Sequence, residues 1–440
     1  MRRILGVLVI VGCVVHSTLG WAEEPAVPPA SAPASSARSV TLDGLIDDAL
    51  IRSPEVQATR RAYEAARARV VSAWLPDDPE AGVDVEGQSQ LFRFDRTDNE
   101  YMVAQRLPFP TTLWLRGRVA MKDADMAFQR FQEAEREITW HVEQPYYDFV
   151  VAKQTVRALE ETTALLERLS RSAQARYESN KASQTDLLKA EIERAKLRID
   201  VFQWQQKTHL AQAHLSHILN EPLETRYDVQ EPVHSPLPAW SAKDLEPLAT
   251  RRRPELKTLE LGIARAKLSR WLARTSWLPE VTGRIEARQF SGEHGIREYD
   301  TFLGVTVPVW SLLKGASGEW KGAGQDVQEA EAMYLAGKND VLLAIHEALT
   351  NVQSADYALD SYEHVILPEA KQQVEVALAA YEAGTGDFLG LIDAQRMLRD
   401  LQVSYYTVRA DYERGLSDLR LATGGPLPDG DATSHNQVTR

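Results

Sequence analysis

The sequence predicts an α+β protein in which one plan, short helices followed by a β-hairpin and a long helical hairpin, occurs twice. Three observations predict this fold. The motif "SAWLP" at 72–76 returns as "TSWLP" at 275–279. After each copy the hydrophobic residues change from a helical period to alternation. Each alternating segment is followed by a helical pattern longer than any compact domain contains.

The composition of the 440-residue chain limits the classes of protein that fit it. The net charge of −13 disfavours a nucleic-acid partner, because phosphate would be repelled. Hydrophobic residues make up 44% and charged residues 26%, as in an ordinary folded protein. Beyond the N-terminal leader, no apolar run approaches the roughly 20 residues of a membrane-spanning helix, so membrane insertion would have to use strands.

The N-terminus has the pattern of an export signal. Arg2 and Arg3 precede the apolar run "ILGVLVIVGCVV", so we predict a signal peptide over 1–22. Cys13 is the single cysteine of the chain and would be removed with this peptide, although "IVGC" also loosely matches a lipoprotein box. The stretch 23–40 is rich in Pro, Ala and Ser and is predicted to be a flexible linker.

Two structural repeats are predicted, over 41–230 and 231–426, with a disordered polar tail at 427–440. Five pairs of landmarks support the duplication: Pro54 and Pro254, Trp74 and Trp277, Pro108 and Pro308, Tyr177 and Tyr381, Pro222 and Pro426, at offsets of 200, 203, 200, 204 and 204. Two helical stretches that merely share composition would not hold these offsets so steady. In each repeat a short helix ends before a proline, which then starts a second helix at no cost in hydrogen bonds.

A β-hairpin is predicted in each repeat, at about 80–108 and 280–310. In "EVTGRIEARQF" apolar Val281, Ile285 and Ala287 alternate with polar residues, and "GVDVEGQSQLF" repeats the pattern. One face of each hairpin is therefore apolar and the other charged. Strands of about 10 residues suit a transmembrane sheet, but a soluble sheet with one buried face would alternate in the same way.

Long helical hairpins are predicted at 112–220 and 312–423. At 1.5 Å per residue, a first arm of roughly 68 residues extends about 100 Å. The chain reverses at "YESNKAS" and "YEAGTGD", where Asn180 or Gly384 supplies a left-handed turn residue. Antiparallel helices of this length are typical of coiled coils, in which most apolar residues form packing seams.

The duplicated plan, the helix starts "SPE" and "RPE", and the tip "YEAGTGDFLGLIDAQ" resemble the TolC-like outer-membrane efflux channels over 41–426. The resemblance implies a trimer in which four strands per protomer close a twelve-stranded β-barrel, continued by a long α-helical coiled-coil barrel. Since four strands cannot close a barrel and open edges are not tolerated in lipid, such a trimer is physically reasonable. It implies a passive conduit in the outer membrane of a Gram-negative bacterium, with its helices in the periplasm, no catalysis and no cofactor.

The resemblance also implies partners: two further copies in a homotrimer, outer-membrane lipid, a periplasmic adaptor (membrane fusion) protein and an inner-membrane pump of an RND efflux system. The stretch "VAQRLPFPTTLWLRGRV" is similar to the outer-membrane partners of metal-exporting pumps, so small molecules or metal ions are the expected cargo. A periplasmic coiled-coil adaptor is the alternative function, although adaptors normally carry one long hairpin beside compact β domains. A secreted enzyme would need a convergent catalytic constellation, which the sequence does not offer.

Three charged residues near the helical tips are candidates for the pore aperture. By resemblance, Asp393 in "GLIDAQ" matches an acidic aperture position, whereas Gly390 stands where the family often has another acidic residue. In the first repeat "TDLLKAE" places Asp186 opposite Gly390 and Lys189 opposite Asp393. Asp393 and Lys189 could therefore lock the aperture electrostatically, or all three could be solvated charges at helix starts.

The tip loops are candidates for contact with the adaptor. Gly384, Thr385 and Gly386 fit the contact loop of the family. The tip that contains Asn180 lacks the glycine of that loop, which puts its docking in doubt.

Trp114 and Trp310 follow the return strands and suit an aromatic girdle at a membrane boundary, although packing at the junction of strand and helix is an equal alternative. His214 and His217 have a spacing that could seat a metal, but no acidic or cysteine partner accompanies them, so no metal site is predicted.

Overall fold

The structure is a computed structural model and describes residues 38–86, 97–178, 184–229, 237–238, 240–292 and 295–428. The predicted signal peptide with Cys13, the tip residue Asn180, most of the predicted tail and the far end of the first predicted hairpin lie outside these residues. Among the described residues, no helix combines the length and the hydropathy needed to cross a bilayer.

The first repeat contains β1 (Arg38–Val40), α1 (Leu42–Arg52), α2 (Pro54–Ala73), β2 (Glu80–Glu86), β3 (Asp98–Leu107), α3 (Pro110–Glu178), α4 (Gln184–Ile218) and β4 (Tyr227–Val229). Thr41 caps α1 by accepting a hydrogen bond from the Gly44 amide at 3.2 Å. Ser53 is extended between α1 and α2, because the residue before a proline avoids the helical conformation. The parallel pair of β1 and β4 was not predicted, and its first strand begins at Arg38, within the stretch predicted to be a linker.

The second repeat contains α5 (Ala242–Arg252), α6 (Pro254–Arg274), β5 (Glu280–Gln289), β6 (Glu298–Thr306), α7 (Val309–Lys314), α8 (Trp320–Ser361), α9 (Leu367–Ala383) and α10 (Phe388–Thr423). Two π-helical turns, Gly315–Glu319 and Tyr362–Ile366, interrupt its long arm. The corresponding arm of the first repeat, α3, is one helix of 69 residues that includes Pro145. The two repeats therefore share a plan but differ in the regularity of their long arms.

Strands and helices form one continuous wall. The sheet has the antiparallel order β2-β3-β5-β6. The helices attached to these strands have the same order, since α2 packs on α3, α3 on α6, and α6 on α8. The side chains of Thr112 in α3 and Thr275 at the end of α6 lie 3.5 Å apart directly beside the sheet. Each strand of the wall is thus connected to one helix. Helices that belong to neighbouring strands lie side by side.

The register of the sheet separates apolar from charged side chains. Val83 pairs with Tyr101, and Val103 pairs with Ile285, which places these residues on one face. Glu100 pairs with Arg288 on the other face. The apolar face is open in a single chain: the exposed fractions are 54% for Val103 and 57% for Ile285. The alternation predicted from "EVTGRIEARQF" therefore corresponds to a real division of the sheet, with its apolar side uncovered.

Apolar cores hold the helical hairpins together. One core joins α1, α3 and α4, and includes Leu45, Phe149 and Leu215. A second lies near the tips of the hairpins, where Leu159, Leu197 and Phe388 from α3, α4 and α10 meet. Two more pack α10 against α5 and α8. Both hairpins are thus coiled coils with apolar seams, and α10 touches elements of both repeats.

Candidate functional site

The tip of the second hairpin has a defined loop. Gly384 ends α9 with a φ of 76°, in the left-handed region that disfavours residues with a Cβ atom. The amides of Thr385 and Gly386 donate to the carbonyl oxygen of Ala380 at 3.0 and 2.9 Å. Asp387 then caps α10 by accepting from the Gly390 amide at 3.3 Å. The loop is therefore fixed by backbone bonds, which leaves its outer side chains available to a partner.

Behind this loop, charged residues join the two repeats. Asp393, whose side chain is 56% exposed, accepts a hydrogen bond from Arg396 Nη1 at 3.1 Å. The other terminal nitrogen of Arg396, Nη2, donates to Glu193 Oε1 on α4. We call this chain of Asp393, Arg396 and Glu193 the tip contact. The Arg396 guanidinium thus lies between Glu193, a carboxylate of the first repeat, and Asp393, a carboxylate of the second.

Glu193 is the buried member of the tip contact, with 3% of its side chain exposed. Lys196 lies 3.3 Å from the same carboxylate oxygen. The hydrogen bond from Arg396 holds the pKa of Glu193 below its usual value, although burial acts in the opposite direction. The same bond raises the pKa of Arg396. Both groups are therefore charged at neutral pH, and the contact is an ion pair.

A second ion pair extends the tip contact away from the loop. Arg399 of α10 lies 3.6 Å from Asp200 of α4 and 2.9 Å from Asp400 of its own helix. Leu391 and Ile392, in the turn of α10 that precedes these residues, belong to the apolar core near the tips. The tips are therefore joined by an apolar core with charged pairs beside it.

The predicted partner of Asp393 was Lys189, and the structure gives Asp393 a different one. Within the part of the chain that the structure describes, no hydrogen bond or ion pair joins Asp393 to Lys189, and the side chain of Asp186 lies outside the described residues. Arg396 and Glu193 were missed by the sequence reasoning. The signal for them was the spacing of charges along each helix, Lys189, Glu193 and Lys196 on α4 and Asp393, Arg396 and Asp400 on α10. A contact of Lys189 with another copy of the chain stays a prediction.

The junction of sheet and helices carries exposed aromatic residues. Trp114 in α3 is 48% exposed and Trp310 in α7 is 75% exposed. The Arg118 guanidinium lies 5.5 Å from the centre of the Trp114 ring. Both side chains are therefore exposed in a single chain, and the aromatic girdle stays a prediction.

The charged face of the sheet and the absence of a metal cluster complete the geometry. Arg288 lies 3.4 Å from Glu100 and 3.8 Å from Asp300 on neighbouring strands. In the described ranges no group of three histidine, cysteine or acidic residues is arranged to hold a metal ion. On this face of the sheet, charged residues of neighbouring strands form ion pairs with each other.

Comparison with known proteins agrees with this architecture. The family model of outer membrane efflux proteins matches residues 45–221 and 245–425. The cobalt-zinc-cadmium resistance protein CzcC of Cupriavidus metallidurans is 22% identical over 283 residues, which cover 62% of this chain and 64% of CzcC. TolC of Vibrio cholerae is 30% identical over 181 residues, 37% of this chain and 38% of TolC. Each match thus spans less than two thirds of the relative.

A solved structure supports the fold independently of sequence. The structure of CusC superimposes on this chain with a TM-score of 0.76, covering 88% of this chain and 92% of CusC. The sequences are only 16% identical, so this likeness is one of fold.

Proposed function

Because the chain belongs to the outer membrane efflux protein family, we propose that it is the outer-membrane channel of a tripartite efflux system. In this proposal it is a passive conduit across the periplasm and the outer membrane of a Gram-negative bacterium. The observation that carries the proposal is the continuous wall, in which a sheet with one apolar and one charged face leads into helical hairpins. Such a sheet separates lipid from water.

A homotrimer follows from the edges of the sheet. Among the described strands of one chain, β2 and β6 each pair on a single side of the sheet. An open edge in lipid would leave backbone groups unsatisfied, each at a cost of several kcal/mol, so the edges pair with those of further copies. Three copies would give twelve strands, enough to close a β-barrel. Trp114 and Trp310 would then lie at the boundary of the lipid, as a girdle.

The tips of the helical hairpins form the periplasmic entrance in this arrangement. The loop of Gly384, Thr385 and Gly386 would contact the adaptor protein, which links the channel to an inner-membrane pump, and Asn180 marks the other tip. Asp186, Lys189 and Asp393 would face the aperture. In the closed state of the entrance, the tip contact would hold the two helical hairpins of one protomer together.

Metal ions are the favoured cargo within this proposal. The support is the similarity to CzcC, a protein named for resistance to cobalt, zinc and cadmium. A conduit needs no specific binding site for its cargo, so the pump and adaptor would set the choice of ion. The proposed channel would also accept other small molecules as cargo.

Conductance across a planar lipid bilayer tests the proposal. The full-length protein, purified in detergent and shown to be folded by circular dichroism, should insert and give discrete current steps. A heat-denatured sample of the same preparation is the control. If the folded protein gives no current at any voltage, the channel function is wrong.

A further inference from the structure

A second contact between the repeats lies where α10 packs on the middle of α3, close to Pro145. Beside Arg414 and Asp418, which contact Asp148 and Trp140 of α3, a row of α10 residues faces α3 at coiled-coil spacing: Ala410, Glu413, Ser417 and Arg420. Such positions are normally apolar. Here the last three are polar and meet Glu143 and Tyr147 of α3. We call the contact of Glu143 and Tyr147 with Glu413, Ser417 and Arg420 the α3–α10 seam.

One carboxylate of the seam is paired. Glu143, which is 6% exposed, accepts a hydrogen bond from Arg420 Nη1 at 3.2 Å through Oε1. Its other oxygen, Oε2, accepts from the hydroxyl of Ser417. Hydrogen bonds from a cation and a hydroxyl are strong when the acceptor is a carboxylate. Glu143 therefore holds the seam as one half of an ion pair.

The other carboxyl group of the seam is poorly compensated. Glu413 is 7% exposed, and the hydroxyl of Tyr147 lies 3.5 Å from its Oε2, at the limit of a hydrogen bond. No ion pair to Glu413 is formed within the described residues. Burial raises the pKa of Glu413, while Arg420, Arg409 and the Tyr147 hydroxyl lower it by smaller amounts and Glu143 raises it further. The net direction is upward, so the seam favours the neutral acid.

Few charged groups act on Glu413 in the part of the chain that the structure describes. The titratable groups that act on it are Glu143, Tyr146 and Tyr147 from α3 and Arg409 and Arg420 from its own helix. From α8, the apolar residues Val352, Ala355 and Leu359 pack on this part of α10 and meet the neighbouring Tyr412. A proton is thus the available means of neutralising Glu413 in the packed state.

We propose that the α3–α10 seam is a proton-sensitive joint, closed while Glu413 carries a proton and loosened when Glu413 ionises. The neutral acid can be buried beside Tyr147 at little cost, whereas an unpaired carboxylate is driven towards water. Because the seam joins the hairpins of the two repeats, its loosening would let α10 shift relative to α3. The consequence for transport rests on the proposed function, since only a conduit would turn this shift into a change of flow.

The direction of the pH effect follows from linkage. Glu413 binds its proton more tightly in the folded protein than in the unfolded chain, whose value is near 4.5. The stabilisation is therefore fully present below about pH 4.5 and is lost as the pH rises through the raised pKa of the folded state. Between those two values, the equilibrium for opening the seam should increase by about tenfold for each pH unit.

Hydrogen–deuterium exchange tests the joint directly. Amides of α3 and α10 along the seam are measured in the full-length protein in detergent from about pH 5 to about pH 8 and corrected for intrinsic exchange. The apolar core near the tips, around Leu391, is the internal reference. We expect protection along the seam to fall with rising pH relative to that reference. A seam whose protection stays parallel to the reference contradicts the proposal without any variant.

Two matched variants sharpen the test. Glu413→Gln replaces the carboxyl group by a neutral group of the same shape, so the seam should keep its low-pH protection up to pH 8 or so. Glu143→Gln removes a paired carboxylate and should lower protection at every pH. If Glu413→Gln keeps the wild-type pH dependence, the joint is wrong. Bilayer conductance is recorded on the same samples. A missing current would contradict the channel function, whereas a missing pH effect on exchange would contradict the joint.

Discussion

The two contacts between the repeats use the same residue types in opposite ways. In the tip contact, Arg396 joins the buried Glu193 to the exposed Asp393, and every carboxylate has a cation within 3.3 Å or less. In the α3–α10 seam, Arg420 pairs with Glu143, whereas the hydrogen bond that Glu413 forms among the described residues is to the Tyr147 phenol at 3.5 Å. The tip contact is a set of ion pairs, and the seam is an ion pair next to an uncompensated acid.

This difference gives the two contacts opposite responses to acid. The pKa of Glu193 is lowered, so its stabilisation is present at neutral pH and is lost as the pH falls through that lowered value. The pKa of Glu413 is raised, so its contribution is strongest in acid and is lost as the pH rises. Acid should therefore loosen the tip and tighten the seam, and the two changes fall on opposite sides of the usual carboxyl value of 4.5, the tip below it and the seam above it.

The largest expected effect comes from breaking the paired half of the seam. Arg420→Ala removes the cation from Glu143, a carboxylate that is 6% exposed. Removing one partner of a buried ion pair costs about 3 to 5 kcal/mol, because the remaining charge is buried without a counter-charge. We expect a clear drop in the melting temperature of the purified protein.

The control for this variant is Arg420→Lys, which keeps the charge but loses the fork of the guanidinium. Its melting temperature should lie between those of the wild type and Arg420→Ala. If Arg420→Ala melts like the wild type, the seam is not held by its ion pair, and the comparison with the tip contact loses its basis.

A smaller effect is expected at the tip. Arg396→Ala removes the donor shared by Glu193 and Asp393, but Lys196 stays 3.3 Å from Glu193. The remaining partner limits the loss to about 1 kcal/mol. The difference in melting temperature between variant and wild type should shrink in acid, as Glu193 takes up a proton. A difference that grows in acid would contradict the sign derived from the lowered pKa of Glu193.

Much of the fold could be predicted because its signals are local. Pro54 and Pro254 start helices for steric reasons that do not depend on the rest of the chain. Gly384 ends α9 because few residues other than glycine adopt a positive φ without strain. Val281 and Ile285 indicated a two-sided strand through their spacing alone. These elements follow from neighbours within a few residues.

The contacts between repeats could not be predicted in the same way. Arg396 meets Glu193 across 203 positions, and the pairing depends on how α4 and α10 are rotated about their axes. The equivalence of the two repeats relates Asp393 to Lys189, whose contact in the aperture stays a prediction, but equivalence does not reveal which side chains touch within one chain. The parallel pair of β1 and β4 is also a long-range contact. Each of its strands has three residues, which is too short for an alternating pattern to indicate a strand. Long-range geometry, not composition, decides these contacts.

The smallest expected change in stability, and the sharpest test of the aperture, is Asp393→Ala. Its side chain is 56% exposed, so losing the pair with Arg396 should cost no more than about 0.5 kcal/mol. If Asp393 helps to narrow the entrance, single-channel conductance should nevertheless increase. Asp360→Ala is a matched control, since Asp360 is 74% exposed and pairs with His364 on the same stretch of helix, away from the tips. Equal currents for Asp393→Ala and Asp360→Ala would mean that the exposed end of the tip contact is an ordinary surface pair, and that only its buried end, Glu193, joins the repeats.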